Sequence, residues 1–270
     1  MISYAGDDML WKFRFRARTT LRLVPAAILL AGSWAVRTAE SGPGGSTNQL
    51  DLTRVSTVEF LQAQDDAGDV AWRLAPEYSV PLHIAPAVHQ SIALRHAANA
   101  AGQPLSVQVA AISDGDSICF RLRWDDETEN RASLVGRYRD AAALQFPVST
   151  AVTGIVMGSP DAPVSIWFWK ADTNTFEDLI AGGPGTVSGV PGDGLAHGLY
   201  RQRSGSSSGQ WLVVFSRKLS DASERVSALG ALPSLPVAFA VWQGDRAQRD
   251  GHKYVSDWHE LRLEPLVAAR

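Results

Sequence analysis

Cysteine is almost absent from this chain: Cys119 is the only one in 270 residues. One thiol cannot close an internal disulfide, so packing alone must hold the fold. The same count excludes cysteine-ligated zinc and iron–sulfur sites, and the Cys-x-x-Cys-His attachment, so any haem would be held without a covalent link. Lysine is nearly as scarce, with Lys12, Lys170, Lys218 and Lys253 against 21 arginines. Methionine occurs three times, as Met1, Met9 and Met157. One long apolar run exists, Leu23 to Val36, and its 14 residues fall short of the roughly 20 that span a bilayer. Helical periodicity is sparse, strongest over Leu219–Leu229 and weaker over Val88–Ala101. Gly-x-Ser-x-Gly, phosphate-loop and dinucleotide motifs are missing, so nothing reads as a self-sufficient enzyme.

What is present begins with a secretory signature. Lys12, Arg14, Arg16, Arg18 and Arg22 form a basic stretch ahead of the apolar run, and Ser33-Trp34-Ala35 offers small residues for cleavage. No Arg-Arg pair precedes the run, which argues against a twin-arginine signal. Residues 1–35 are therefore expected to be a signal peptide, with an uncleaved anchor as the alternative, and residues 36–50 a flexible linker rich in Gly and Ser. Cleavage would remove five basic and two acidic residues, making the mature chain three charges more negative than the whole chain's −3. That balance argues against nucleic acid as a partner. No second long apolar segment follows, so no membrane span is expected in the mature chain.

Residues 51–270 read as short strands separated by Gly, Pro, Asp and Ser. In Ser117–Trp124, Ile118, Phe120, Leu122 and Trp124 face one way and Cys119, Arg121 and Arg123 the other. Val164–Trp169 is apolar on both faces, as in a strand covered on both sides. Leu105–Ile112, Trp211–Ser216 and Val237–Trp242 add further runs, and Glu260–Leu263 could close the last strand. The expected fold is all-β, an antiparallel β-sandwich, Ig-like or jelly-roll-like, with a few short helices.

Three residues carry the chemistry. Met157 stands in a tight Val156-Met157-Gly158-Ser159-Pro160 turn, where a polarizable thioether suits either loop packing or axial ligation of haem iron. Lys253 follows Arg249-Asp250-Gly251-His252; its amine ligates iron only when neutral, which burial favours, and its alternative role is a solvated turn residue. His252 is chemically the more ordinary ligand, and neighbours on a strand point to opposite faces, so one of the pair should reach a common pocket. His83, His89, His96, His197 and His259 lack metal spacing. Asp125, Asp126 and Glu127 could serve acid–base or calcium chemistry, but at a strand end they read as a solvated turn. Trp167 and Trp169, if exposed, would instead suit a carbohydrate-stacking module without haem.

Five segments in order carry a resemblance to one family. They are Asp116–Asp126, Asp140–Pro147, Val156–Asp172, Trp211–Arg217 and Ala238–Gly244 with Arg249-Asp250-Gly251, over roughly Asp116 to Leu263. Together they resemble the haem b-binding gamma subunit of type II enzymes of the dimethyl sulfoxide reductase family. Its members include small subunits of ethylbenzene dehydrogenase, dimethyl sulfide dehydrogenase, selenate reductase and chlorate reductase. The resemblance implies a periplasmic β-sandwich holding one non-covalent haem b between Met157 and Lys253, with His252 the alternative to Lys253. It implies a non-catalytic electron-transfer role beside a molybdopterin catalytic subunit and an iron–sulfur subunit, with a soluble cytochrome or similar periplasmic carrier as exchange partner.

Overall fold

The architecture is taken from a computed structural model that describes residues 48–98, 105–132, 134–149, 154–206, 208–219 and 234–263. The expected signal peptide, nearly all of the expected linker and residues 220–229 of the stronger helix candidate lie outside these residues. In chain order the strands and helices are β1 (Gln49–Arg54), α1 (Thr57–Asp65), β2 (Tyr78–Ile84), α2 (Gln90–Ala98), β3 (Leu105–Ser113), β4 (Ser117–Asp126), β5 (Ala141–Pro147) and β6 (Val164–Lys170). They continue with β7 (Phe176–Ala181), β8 (Ser188–Gly189), β9 (Leu195–Gln202), β10 (Gly209–Lys218), β11 (Ser234–Trp242), β12 (Tyr254–Val255) and β13 (His259–Arg262). The weaker helical pattern is thus α2, and the expected closing strand is β13.

Hydrogen bonding runs β8-β7-β6-β5-β11-β12-β2-β3-β4-β10-β9, one continuous sheet folded over on itself into two layers. All pairings on that path are antiparallel. The expected sandwich is present, with one departure: β1 pairs parallel with both β13 and β3. Alternation places Ile118, Phe120, Leu122 and Trp124 of β4 in the central core, as their spacing requires. Opposite them stand Trp167 and Trp169 of β6, and the layers interlock through indole and phenyl edges: Trp169–Trp211 at 5.0 Å and Phe120–Trp167 at 6.1 Å. A buried ion pair joins the layers as well, Arg217 of β10 to Asp178 of β7 at 2.9 Å.

Both layers carry apolar side chains on their outer faces as well. α1, started by a Ser56/Glu59 capping box, packs Phe60 and Ala63 with Trp72 over Ala110, Ile112, Cys119, Leu212 and Val214 of β3, β4 and β10. On the other side, Val164, Ile166, Ala141, Ala143, Ala240, Trp242 and Val255 form a second apolar face on β5, β6, β11 and β12. The two-sided apolar character of Val164–Trp169 has this cause: Trp167 and Trp169 serve the core, while Ile166 and Phe168 serve the outer face.

Candidate functional site

The outer face of β5, β6, β7, β11 and β12 is the floor of a cavity of about 580 Å³. Small side chains make the room. Ala141 and Ala143 of β5 lie in register with Trp242 and Ala240 of β11, and Ala238 lies opposite Gln145. Ile166, Phe168, Leu179 and Val255 continue the floor, and Phe168 meets Trp242 edge-on at 5.3 Å. A smaller compartment of about 130 Å³ adjoins it beneath Ile92 of α2 and the Ala85–Val88 segment. Ile155, Met157, Gly185, Gly251, Lys253 and Val255 border both compartments.

Met157 reaches this junction on a turn between β5 and β6. It is a non-glycine residue at φ 55°, in the left-handed region that L side chains rarely occupy. The conformation is held from several sides. Its N–H donates to the Ile155 carbonyl at 3.1 Å, and its carbonyl accepts from the Gly183 N–H at 2.9 Å. The next residue, Gly158, has φ +72°, and a Cβ there would lie 2.7 Å from the Ala162 carbonyl oxygen. Paired bonds between Ser159 and Ala162 close the turn. A residue held this firmly in a strained conformation while lining a cavity is a candidate functional position.

Lys253 comes from the loop between β11 and β12, where Ala247 and Asp250 also sit at φ 53°. Its carbonyl accepts from the Ala85 N–H at 2.9 Å, tying the loop to the chain beyond β2. Its ammonium nitrogen lies 4.8 Å over the Trp242 ring, and no carboxylate among the described residues pairs with it. Burial in these surroundings pushes its pKa down to about 8. The side chain keeps some accessible surface, and this faces the cavity that it lines. The solvated-turn alternative does not hold.

His252 points elsewhere. It is 1 % exposed, lies outside the cavity lining and stacks at 5.0 Å on His96 of α2. Neither of its ring nitrogens has a partner among the described residues, and burial, then His96 and Arg95, pushes its pKa down. Strand-like alternation through 252–255 therefore sends Lys253 and His252 to opposite sides, and the lysine to the side of Met157.

Other sequence expectations are corrected. Trp167 and Trp169 are 0 % exposed and form no stacking platform. Of the Asp125–Glu127 cluster, Asp125 is exposed and pairs with Arg203 at 2.5 Å, but Asp126 is buried rather than solvated. Asp126 sits beside Asp140, a residue that pattern reading passed over. Asp140 accepts from the N–H groups of Asn130 (2.7 Å), Gly244 (2.8 Å) and the Trp211 indole (2.9 Å). Asp126 has only the longer contacts from Thr128 (3.2 Å) and the Trp124 indole (3.4 Å). Burial, then the neighbouring Asp140 charge, raises Asp126 to about 8, so this member holds the proton while Asp140 keeps the charge. Among the described residues no group of three His, Cys, Asp or Glu could hold a metal ion.

The residues present fit a haem. The cavity has an apolar floor, a thioether and an amine that burial drives toward neutrality both border its junction with the smaller compartment, and among the described residues no anion pairs with that amine. The fold and site thus define a β-sandwich that carries one large apolar slot on the outer face of a sheet. Comparison with known proteins places it more closely. The ethylbenzene dehydrogenase family matches residues 69–205, beginning well ahead of the Asp116 where the sequence resemblance starts. The gamma subunit of dimethylsulfide dehydrogenase from Rhodovulum sulfidophilum is 39% identical over 95% of this chain and 97% of its own. The gamma subunit of chlorate reductase from Ideonella dechloratans is 34% identical over 88% and 96%. A chain of Haloferax mediterranei named "Putative respiratory nitrate reductase heme subunit ORF7" is 36% identical over 77% and 72%. A solved structure named a "putative carbohydrate-binding protein", from Bacteroides uniformis, covers 82% of this chain and 100% of its own at 7% identity and TM-score 0.44, a likeness that carries no argument. The chain belongs to the gamma-subunit family of type II dimethyl sulfoxide reductase-family enzymes.

Proposed function

We propose that this chain is the electron-transfer subunit of a periplasmic molybdenum oxidoreductase complex, holding one non-covalent haem b between Met157 and Lys253. The observation that carries the reading is that these two residues, from loops far apart in sequence, line the same two compartments of one apolar cavity. The Haloferax mediterranei relative named as a heme subunit supports it. Its catalytic partners would be a molybdopterin subunit and an iron–sulfur subunit, in keeping with the gamma-subunit names of the relatives. A soluble cytochrome or similar carrier would complete the path, and the secretory character of residues 1–35 supports a periplasmic site.

When bound, haem would supply one-electron transfer, and Met157 and Lys253 are the residues that would hold its iron. The chain's own residues set the conditions. Met157, its backbone locked in the turn, presents its side chain to the cavity from a fixed position. Lys253, already lowered toward 8, gives up its proton near neutral pH at far smaller cost than a lysine titrating at its ordinary 10.5. Ala141, Ala143, Ala238 and Ala240 leave room for a flat group and line it with hydrocarbon, which keeps water from the iron.

The test is an absorbance spectrum of the full chain produced in a periplasm with haem available, oxidised and then dithionite-reduced. A sharp reduced α-band, with haem extractable by acid-acetone, is expected. Met157→Ala and Lys253→Ala should each abolish the six-coordinate spectrum, while His252→Ala should keep it. A folded, colourless chain from a haem-replete host that also makes the partner subunits would sink the reading.

A further inference from the structure

The polar residues of the cavity are unevenly placed. Lys253 borders both compartments, whereas Tyr138, Arg139, Gln248, Arg249 and Asp250 border the larger one alone, as does Gln145 further along β5. Tyr138 and Arg139 on one side, and Gln248 and Arg249 on the other, come from two segments that the pairing of β5 with β11 brings together. Arg139 lies just ahead of β5, and Arg249 lies in the loop after β11. Arg249 is fixed by stacking, its guanidinium carbon 4.6 Å over the Tyr138 ring. Its nearest acid is Asp250, 3.9 Å from Nε and with a side chain 74% exposed, a loose contact. Arg139 is tethered through Nε to Asp172 at 3.2 Å. Both guanidinia line the cavity with side chains about one-third to two-fifths exposed, so they remain open to an incoming ligand.

The charge of the lining is unbalanced. Arg139, Arg249 and Lys253 supply three cations, and Asp250 is the one acid among the lining residues. Arg139 and Arg249 thus offer two guanidinium forks, each with the planar geometry that grips a carboxylate in two places. We infer that Arg139 and Arg249 form a two-point clamp for the paired carboxylates of the bound tetrapyrrole, orienting its propionate edge toward Tyr138 and its hydrocarbon edge toward the alanine and valine floor. This rests on the haem reading above, and it adds the orientation of the group and the residues that set it.

The experiment is reconstitution of the full apo chain with haem b and with its dimethyl ester, in which both carboxylates are masked. Affinity is read by spectral titration. The wild-type chain should bind the ester about tenfold more weakly than the free acid, the size expected of charge-assisted hydrogen bonds that are partly exposed. Arg139→Gln/Arg249→Gln should bind the free acid about tenfold more weakly than wild type and should no longer distinguish acid from ester. Arg249→Gln alone, at the more exposed position, serves if the double variant does not fold. Equal affinity of wild type for acid and ester overturns the clamp, as does a folded variant that keeps the full preference. Binding of neither tetrapyrrole by wild type would instead count against the haem reading itself.

Discussion

Asp126 and Met157 sit where single side chains meet an unfavourable environment for opposite reasons. Met157 accepts a left-handed backbone so that its sulfur faces the cavity. Asp126 accepts a proton because burial, and then the charge of Asp140 beside it, disfavours its carboxylate. The sign of the second effect is fixed. Asp126 has its pKa raised in the fold from 3.8 to about 8, so the native state holds a proton that the unfolded chain releases from about pH 4 upward. Stability is therefore lost as pH rises across that window, and the penalty is complete above about 8. Asp126→Asn keeps a neutral group of the same shape, so it should stabilise the chain by about 1–2 kcal/mol at pH 8.5 and by little at pH 4. Urea titrations at the two pH values check this; a gain at pH 4 equal to that at pH 8.5 would refute the buried acid pair. Legibility at this scale was uneven. Scarcity singled out Met157 and Lys253, because a residue type used three or four times in 270 residues invites a specific reason. Nothing in the sequence singled out Asp140, whose importance comes from donors on Asn130, Trp211 and Gly244, brought together only by the fold.

Strands β5 and β11 carry alanines where sheets ordinarily place larger β-branched residues. On β5 alone, Ala141 and Ala143 face the cavity while Ala142 and Leu144 face the core, so the two faces follow different rules. Refilling the floor should then remove the ligand site without removing the strand. Ala143 lies opposite Ala240 on one side and Phe168 on the other, so a larger ring at 143 projects into the slot between them. Ala143→Phe should abolish haem uptake yet leave the far-ultraviolet circular dichroism unchanged and unfolding within about 1.5 kcal/mol of the wild-type apo chain. Unfolding of the whole chain by this substitution would mean that the alanines belong to the core. Periodicity revealed that β6 is covered on both faces, but not that one cover is protein and the other a cavity, since hydrocarbon meets either with the same side chains. The parallel pairing of β1 with β3 and β13 was not legible at all, because pairing between segments so far apart in the chain leaves no local pattern.

At the level of the whole molecule, core and site occupy opposite faces of the same sheet, and this separates their energetics. Trp124, Trp169, Trp211 and Trp167 are locked between the layers, and Gly198 lets Trp169 seat: a Cβ there would lie 2.3 Å from the indole. Trp169→Ala should therefore cost about 3–5 kcal/mol whether or not a ligand is present. Met157 and Lys253 hang from loops on the outer face, so Met157→Ala/Lys253→Ala should leave the apo chain within about 1 kcal/mol of wild type. Ligand binding adds to stability by mass action alone, about 2.7 kcal/mol at a free concentration one hundred times Kd. At roughly 2–4 °C per kcal/mol for a domain of this size, haem should raise the wild-type Tm by about 5–10 °C. Calorimetry with and without haem decides the matter. The double variant should share the apo wild-type melting temperature and lose the haem increment, whereas Trp169→Ala should melt lower and keep the increment while it remains folded. A double variant that melts as low as Trp169→Ala would place the two candidate ligands in the structural core and remove the separation of site from scaffold on which the haem reading depends.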